Sequence, residues 1–147
     1  MKATLLTAFL LLSTTLSATD LNLRTNPGYM IVGAMNLELD VGLGSRWSLG
    51  PSVTANAVLD EFIVGARIHR FRQPRRESGW YTGLAVRHSP DGLGFADAFT
   101  SVRLLEHYQW HGEHFNLAVG IGPDLRLMGE EDWRLWIGTD LGLGWRF

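Results

Sequence analysis

Apolar and polar residues alternate one by one along most of this chain. Between Arg46 and Ala57, for example, every second residue is apolar, and the residues between them are polar, charged or glycine. Successive side chains of a β-strand point to opposite faces, so this period of two predicts strands with one apolar and one polar face. No segment shows the period of an amphipathic helix. The sequence therefore predicts an all-β protein.

Turn-forming residues divide the alternating pattern into eight segments, and two of the connections are longer, at 72–78 and 89–98. Strands of about 10–12 residues are long for a soluble sheet but suit a tilted strand that crosses a membrane. The predicted strands are 20–31, 34–43, 46–57, 61–71, 79–88, 99–110, 114–128 and 132–147. Together they predict one domain, residues 19–147, folded as an eight-stranded antiparallel up-and-down transmembrane β-barrel.

The two faces of the predicted strands differ in side-chain size. One face is bulky and apolar, whereas the other combines glycines with arginines and carboxylates. A soluble barrel turns its apolar face inward, and a membrane barrel turns it outward toward lipid. Eight strands enclose a space that side chains can fill, so arginines and acids beside glycines suit the interior. The residues predicted to face inward are Glu38, Asp40, Gly65, Arg67, Gly83, Arg87, Arg103, Gly120, Asp124, Arg126, Arg134, Gly138, Asp140, Gly142, Gly144 and Arg146.

Aromatic residues near the strand ends resemble the girdles that flank the apolar band of membrane barrels. Glu106 conflicts with this pattern, because strict alternation places it on the lipid face. Either a bulge shifts its strand or the residue lies close to the membrane interface. The aromatic residues are Trp47, Trp80, Tyr108, Trp110, Trp133, Trp145 and Phe147.

The first 18 residues have the pattern of a secretory signal peptide, with a basic start at Lys2 and an apolar run over 3–12. That run is too short for a transmembrane helix, and cleavage is predicted near Ala18. The 147 residues include no cysteine, which excludes disulfides and cysteine-based metal or nucleophilic sites. A net charge of −2 disfavours nucleic-acid binding. We expect export to the bacterial outer membrane.

The chain ends in an alternating segment that closes on Phe147. A terminal phenylalanine in this setting is similar to the signal that the barrel assembly machinery recognises. Further characteristic segments are Arg24–Pro27, Asn36–Asp40, Ser45–Pro51, Gly79–Gly83 and Tyr108–Trp110. In these segments the chain resembles a family of small, functionally uncharacterised bacterial outer-membrane eight-stranded β-barrel proteins. The resemblance implies a fold and a location, and it brings no catalytic residues.

His88 and Ser89 raise an enzymatic hypothesis. Outer-membrane lipid A deacylases are similar small barrels that use a serine, a histidine and an acid. Here the two residues are adjacent, so alternation points them to opposite faces, and Glu106 on the neighbouring strand is expected near the other end. A polar pair where a strand meets its loop is the favoured interpretation.

Three histidines, His107, His111 and His114, cluster around one turn with Glu113 nearby. Such spacing is compatible with a transition-metal site. An exposed polar turn without a metal is the favoured interpretation, because no fourth ligand converges on the three rings.

A basic run at Arg70, Arg72, Arg75 and Arg76 falls on a connection assigned to the periplasmic side. It suits contact with anionic lipid headgroups or peptidoglycan, and a solvated turn is the alternative.

Three functions follow from these patterns. The favoured one is a structural or envelope role for an integral outer-membrane barrel, with no enzymatic activity, cofactor or metal. The second is a narrow pore or carrier for a small or amphiphilic solute, which requires an unfilled interior. The third is a lipid A-modifying hydrolase that uses His88 and Ser89. The expected partners are outer-membrane lipid and the assembly machinery at Phe147, without nucleic acid, and a monomer is compatible with them.

Overall fold

Eight β-strands and one short helix make up the computed structural model. The structure describes residues 20–31, 33–56, 61–90, 98–128 and 132–147. The predicted signal peptide, residues 1–18, therefore lies outside the described residues. The elements are β1 (Leu21–Thr25), α1 (Gly28–Ile31), β2 (Met35–Leu43), β3 (Trp47–Asn56), β4 (Glu61–Phe71), β5 (Gly79–Ser89), β6 (Phe99–His111), β7 (Phe115–Met128) and β8 (Asp132–Arg146).

The strands form a closed antiparallel barrel in which each strand pairs with the next and β8 pairs back with β1. This confirms the predicted eight-stranded up-and-down barrel. We call the end that carries residues 20 and 147 the terminal end, and it also carries the β2–β3, β4–β5 and β6–β7 connections. The opposite end is the distal end, and it carries the other connections. Within those connections, residues 32, 57–60, 91–97 and 129–131 lie outside the described residues.

The interior of the barrel is polar and its exterior is apolar. Among the described residues, 20 buried side chains are polar or charged and only seven are apolar. Large apolar side chains such as Leu84, Leu104 and Ile121 are 43–60% exposed on the outer face. The predicted orientation of the two faces is therefore confirmed, except that Arg134, predicted to fill the interior, is 56% exposed near the distal end. It is the reverse of a soluble barrel built around an apolar core.

The first strand is much shorter than predicted. Alternation predicts a strand over 20–31, but β1 ends at Thr25 and residues Gly28–Ile31 form α1. Pro27 has no backbone N–H for a sheet and suits the first turn of a helix. Asn26 caps that turn, since its Oδ1 accepts a hydrogen bond of 2.9 Å from the Gly28 backbone N–H. None of the described residues belongs to a helix with the length and apolarity needed to cross a membrane.

Early termination of β1 leaves a gap in the barrel wall. β8 has 15 residues and β1 five, and the two strands pair only up to Thr25↔Leu143. From Trp133 to Gly142, the described residues place no strand beside β8 on this side. β2 pairs with β1 only as far as Glu38, so the first residues of β2 also lack a neighbour there. Asn26 bridges the two strands where this gap begins: its Nδ2 donates to Asp140 of β8 at 2.8 Å, and its backbone N–H donates to Asn36 of β2 at 3.1 Å.

Glycines on the inner face make room for long side chains, as the alternation predicts. A methyl group on Gly120 would lie 2.2 Å from Cδ2 of His107, and one on Gly142 would lie 2.1 Å from Nη2 of Arg24. Both separations are far below van der Waals contact. The interior is therefore packed around these glycines.

We expect Gly120→Leu to destabilise the folded barrel by about 1–3 kcal/mol, because the new side chain must displace the His107 ring. The control is Val119→Leu, which changes the neighbouring outward residue and should stay within about 0.5 kcal/mol of the wild type. Urea unfolding of the purified protein measures both effects. Equal midpoints for the two variants would contradict the packed interior.

Candidate functional site

Charged side chains form three groups within the barrel and at its ends, and of these the Arg76 side chain is 66% exposed. A buried charge is tolerated when it is paired and costs several kcal/mol when it is not, so each group is held together by its ion pairs. The terminal cluster comprises Asp20, Arg75, Arg76 and Arg146; the central cluster comprises Arg24, Glu38, Asp40, Arg67 and Asp140; the distal cluster comprises Arg87, Arg103, Asp124 and Arg126.

The terminal cluster closes the terminal end around Asp20. Arg75 Nη2 donates to Asp20 Oδ2 at 2.6 Å, and Arg146 Nε lies 3.2 Å from Asp20 Oδ1. Arg75 also donates from Nε to the Gly44 carbonyl at 3.2 Å. The β4–β5 connection is thereby tied to the β2–β3 turn and, through Asp20, to Arg146 near the other end of the chain.

Arg24 is the centre of the central cluster and is 1% exposed. Its guanidinium lies 3.7 Å from Asp40, 3.8 Å from Asp140 and 4.0 Å from Glu38, so it contacts carboxylates from both neighbouring strands. Its Nη1 donates to the Tyr81 hydroxyl at 3.0 Å. One residue of β1 thus joins β2, β8 and the opposite wall.

Arg67 supplies the second cation of the central cluster. It forms an ion pair with Glu38 and donates to Asp40 at 3.2 Å. On the other side, His107 Nε2 lies 3.2 Å from Asp140 Oδ2, and its ring stacks on Tyr81 with centroids 4.4 Å apart. The central cluster therefore contains two guanidinium groups and three carboxylates, those of Glu38, Asp40 and Asp140.

The distal cluster has the opposite balance. Its single carboxylate, Asp124, is fully buried and lies 2.9 Å from Arg126, 3.1 Å from Arg87 and 3.7 Å from Arg103. Arg103 Nη2 also donates to the Thr139 carbonyl at 2.7 Å. Among the described residues, three cations thus surround one carboxylate, the same ratio as in the terminal cluster.

An apolar group lies above the distal cluster at the mouth of the barrel. Tyr29 and Met128 pack against the buried Ala34, Ile63 and Phe99. The Tyr29 hydroxyl accepts a hydrogen bond of 3.0 Å from Arg87, which attaches α1 to the distal cluster.

A small cavity lies between the central and distal clusters, with a volume of roughly 40 Å³. Its lining includes Arg67, Arg87 and Arg103. This volume suits a few water molecules, whereas pockets for organic ligands measure about 300–1,000 Å³. The cavity is therefore too small for an organic substrate.

His88 and Ser89 lie on opposite faces, as alternation predicts. His88 is exposed outside the barrel, where its Nδ1 lies 3.0 Å from Oγ1 of Thr100. Ser89 is fully buried and donates to the Phe62 carbonyl at 3.1 Å. Glu106 lies six residues from Thr100 along β6, about 20 Å away. The structure does not bring the three residues of the enzymatic hypothesis together.

The three clustered histidines also separate. His107 is buried at Asp140, His111 is half-buried beside Arg146, and His114 is exposed with its Nε2 3.9 Å from Glu113. The interpretation as an exposed turn is wrong for His107, because the alternation of β6 directs it inward. In the described part of the chain, no group of three or more potential ligands could hold a metal ion.

The basic run divides between the two sides of the wall. Arg72 is exposed and pairs with Glu106 at 2.9 Å, and the Arg70 guanidinium lies 5.7 Å from the Trp47 ring. Arg75 instead turns into the terminal cluster and is 8% exposed. Neither a solvated turn nor lipid contact describes Arg75. The inward position of Arg75 follows only from its hydrogen bonds across the connection, and no pattern in the sequence predicts those bonds.

Glu106 faces outward, and the bulge hypothesis is wrong. The β5–β6 register runs without interruption from Gly79↔Gln109 to Ser89↔Phe99. The carboxylate is satisfied on the outer surface by Arg72 and by a hydrogen bond from Thr82. Two polar partners thus accompany the one acid on the apolar face of β6.

The chain matches no protein-family model, no curated protein and no solved structure. The resemblance to small outer-membrane barrels stays a prediction.

Arg24→Met should destabilise the barrel by about 3–5 kcal/mol, because it leaves three buried carboxylates with one arginine. Adding Asp140→Asn, which removes one of the uncompensated charges, should recover part of the loss. The control is Arg134→Met, since Arg134 is exposed and pairs with the exposed Asp132, and it should leave the stability nearly unchanged. Denaturant midpoints measure all three, and a loss for Arg24→Met no larger than the control's would argue against a central ion-pair role.

Proposed function

We propose that this protein is an integral barrel of the bacterial outer membrane with a structural role in the envelope and no catalytic site. The observation that carries the proposal is the orientation of the two faces: a bulky apolar exterior surrounds an ion-paired interior. In water, a barrel is most stable when its charges face the solvent and its apolar side chains are buried. In lipid this preference is reversed, so an apolar exterior around an ion-paired interior is favoured there. A closed sheet also satisfies most of its own backbone hydrogen bonds.

The dimensions of the exterior support this proposal. Trp133 and Trp145 are exposed at opposite ends of β8, twelve residues apart. That separation is about 40 Å along a strand and about 30 Å after a tilt of about 40°, similar to the apolar band and girdles of outer-membrane barrels. Trp80, Tyr108 and Trp110 form a further row of edge-to-face contacts toward the terminal end, with centroids 4.8–5.2 Å apart.

We further propose that residues 1–18 direct export and that Phe147 presents the last strand to the barrel assembly machinery. Phe147 is 73% exposed, and its backbone N–H is bonded to Leu21 of β1. Its ring is therefore accessible to a partner, while its backbone takes part in closing the barrel.

Substitution in the middle of the exterior tests the membrane proposal. Ile121 lies midway between Phe115 and Leu127 on β7 and is 60% exposed. Ile121→Arg should destabilise the barrel in liposomes by about 2–4 kcal/mol, and Leu127→Arg, nearer the distal end, by about 0–1 kcal/mol. Urea titration in liposomes, read by heat-modifiable gel mobility, measures both.

Fractionation of cells that express the full chain is the accompanying experiment. The proposal expects the protein in the outer membrane and extractable only with detergent. A soluble protein in which Ile121→Arg is neutral would overturn it.

The pore alternative is less well supported, because the cavity between the central and distal clusters holds only a few waters. We expect no conductance above background in planar bilayers from the wild-type barrel. Steady channels of wild type that are altered by Arg24→Met would instead favour the pore.

A further inference from the structure

We propose that the outer wall of the barrel, near its terminal end, binds a phospholipid whose headgroup carries both a phosphate and a primary ammonium. The site is the outer polar patch, which we define as Arg70, Arg72, Thr82 and Glu106. In this site the two arginines hold the phosphate and Glu106 holds the ammonium. The inference rests on the proposed membrane function and adds a class of lipid to it.

Strand register places the outer polar patch on three neighbouring strands. Arg70 of β4 is paired with Thr82 of β5, and Thr82 is paired with Glu106 of β6. Arg70 is exposed, and 42% of the Glu106 side chain is exposed. Adjacent strands lie about 4.8 Å apart, so the backbones of Arg70 and Glu106 are separated by about 10 Å. Two long side chains of opposite charge therefore flank the short side chain of Thr82.

Glu106 is fixed in position by the patch but can accept further hydrogen bonds. Its Oε2 accepts a hydrogen bond of 2.9 Å from Arg72, and its Oε1 accepts one from the Thr82 hydroxyl. A carboxylate offers about four lone-pair sites, so each oxygen has capacity for another donor. A primary ammonium supplies such donors together with the opposite charge.

The outer polar patch contains two arginines and one carboxylate. Arg72 pairs with Glu106, whereas the described residues give Arg70 no carboxylate, and its guanidinium lies 5.7 Å from the Trp47 ring. Acids outside the described ranges do not change this count, because residues 1–19 contain none and the others belong to distal connections. Those other acids are Asp60, Asp91, Asp97, Glu130 and Glu131. A phosphate supplies the missing negative charge, and guanidinium groups bind phosphate with well-matched hydrogen bonds.

Aromatic rings beside the patch place it near the expected level of lipid headgroups. Trp80 and Tyr108 are paired one row closer to the terminal end than Thr82 and Glu106. Their rings pack edge to face, with centroids 5.2 Å apart, and Trp80 is 49% exposed. Exposed tryptophan and tyrosine rings of membrane proteins lie at the headgroup level, and charges deeper in the hydrocarbon are costly. A headgroup is therefore the polar partner that this position provides.

A headgroup with both charges fits the patch better than two other occupants. An anionic lipid without an ammonium would pair with the arginines but would bring its charge close to the Glu106 carboxylate. A second copy of the chain, related by a two-fold axis, would set four arginines against two glutamates and would leave the positive excess unpaired. The combination of phosphate and ammonium matches both signs of charge in the patch.

Native mass spectrometry of the purified protein in neutral detergent tests this site, because it distinguishes bound lipids by their mass. Three lipids with the same acyl chains compete in equal amounts: phosphatidylethanolamine, phosphatidylcholine and phosphatidylglycerol. Phosphatidylcholine keeps both charges but carries methyl groups in place of the ammonium N–H donors. We expect the phosphatidylethanolamine complex to exceed each of the other two at least about threefold.

Variants of the patch separate the two contacts of the headgroup. Glu106→Gln should abolish the preference for phosphatidylethanolamine over phosphatidylcholine while phosphatidylglycerol still binds. Arg70→Gln should lower the binding of all three lipids at least about threefold. The matched controls are Glu113→Gln and Arg134→Gln, which remove an exposed acid and an exposed arginine outside the patch and should leave the preference unchanged. Far-UV circular dichroism checks that every variant is folded.

Three results would overturn the inference: equal occupancy by the three lipids, a preference that persists in folded Glu106→Gln, or a dimer that none of the lipids displaces and that Arg70→Gln abolishes. The last result would assign the patch to a second copy of the chain. Because binding is measured in detergent, it is independent of location in the cell. A barrel found in the outer membrane without a headgroup preference contradicts this inference alone. A barrel that has the preference but is soluble in cells contradicts the membrane proposal alone.

Discussion

The structure depends on one electrostatic constraint: charged side chains enclosed by eight strands must find their counter-charges within the same narrow space. Arg24 meets this constraint for the half of the barrel that β1 closes, because its guanidinium lies within 4.0 Å of carboxylates from β2 and β8. The same contacts that neutralise the interior therefore hold the first and last strands together. Since an unpaired buried charge costs several kcal/mol, closing the sheet is favourable only when its buried charges also form their ion pairs.

The sequence predicts the strands and the faces of this barrel well, and the contacts between its inward residues poorly. Alternation with a period of two is a local property, and it correctly directs Asp124, Arg103 and Gly120 inward. It does not predict which inward residues meet, because the contact of Arg24 with Asp140 joins residues that are more than a hundred positions apart in the chain. Such contacts depend on strand register and on how the barrel closes, and alternation specifies neither of them.

Local chemistry also overrides alternation at identifiable points. The alternating pattern continues past residue 25, but Asn26 and Pro27 end the strand there. An asparagine that caps a helix, followed by a proline without a backbone N–H, is a sequence signal for this strand end. His107 is a different case, since alternation within β6 places it inside although its spacing from His111 and His114 suggests a single surface turn. For a residue within a strand, alternation predicts the direction of the side chain better than the spacing of neighbouring histidines does. Arg75 lies in a connection, where no periodicity applies.

Early termination of β1 also limits what this strand contributes to the interior. Where β1 is present, it supplies Arg24 between the acids of its neighbours, and the central cluster carries more carboxylates than arginines. Beyond Thr25, the described residues pair no further strand with β8, and Asn26 reaches β8 only through its side chain, which donates to Asp140 at 2.8 Å. Arg103 then crosses from β6 to reach the Thr139 carbonyl, which points toward the missing strand. The position of this guanidinium is set by a backbone acceptor as well as by Asp124.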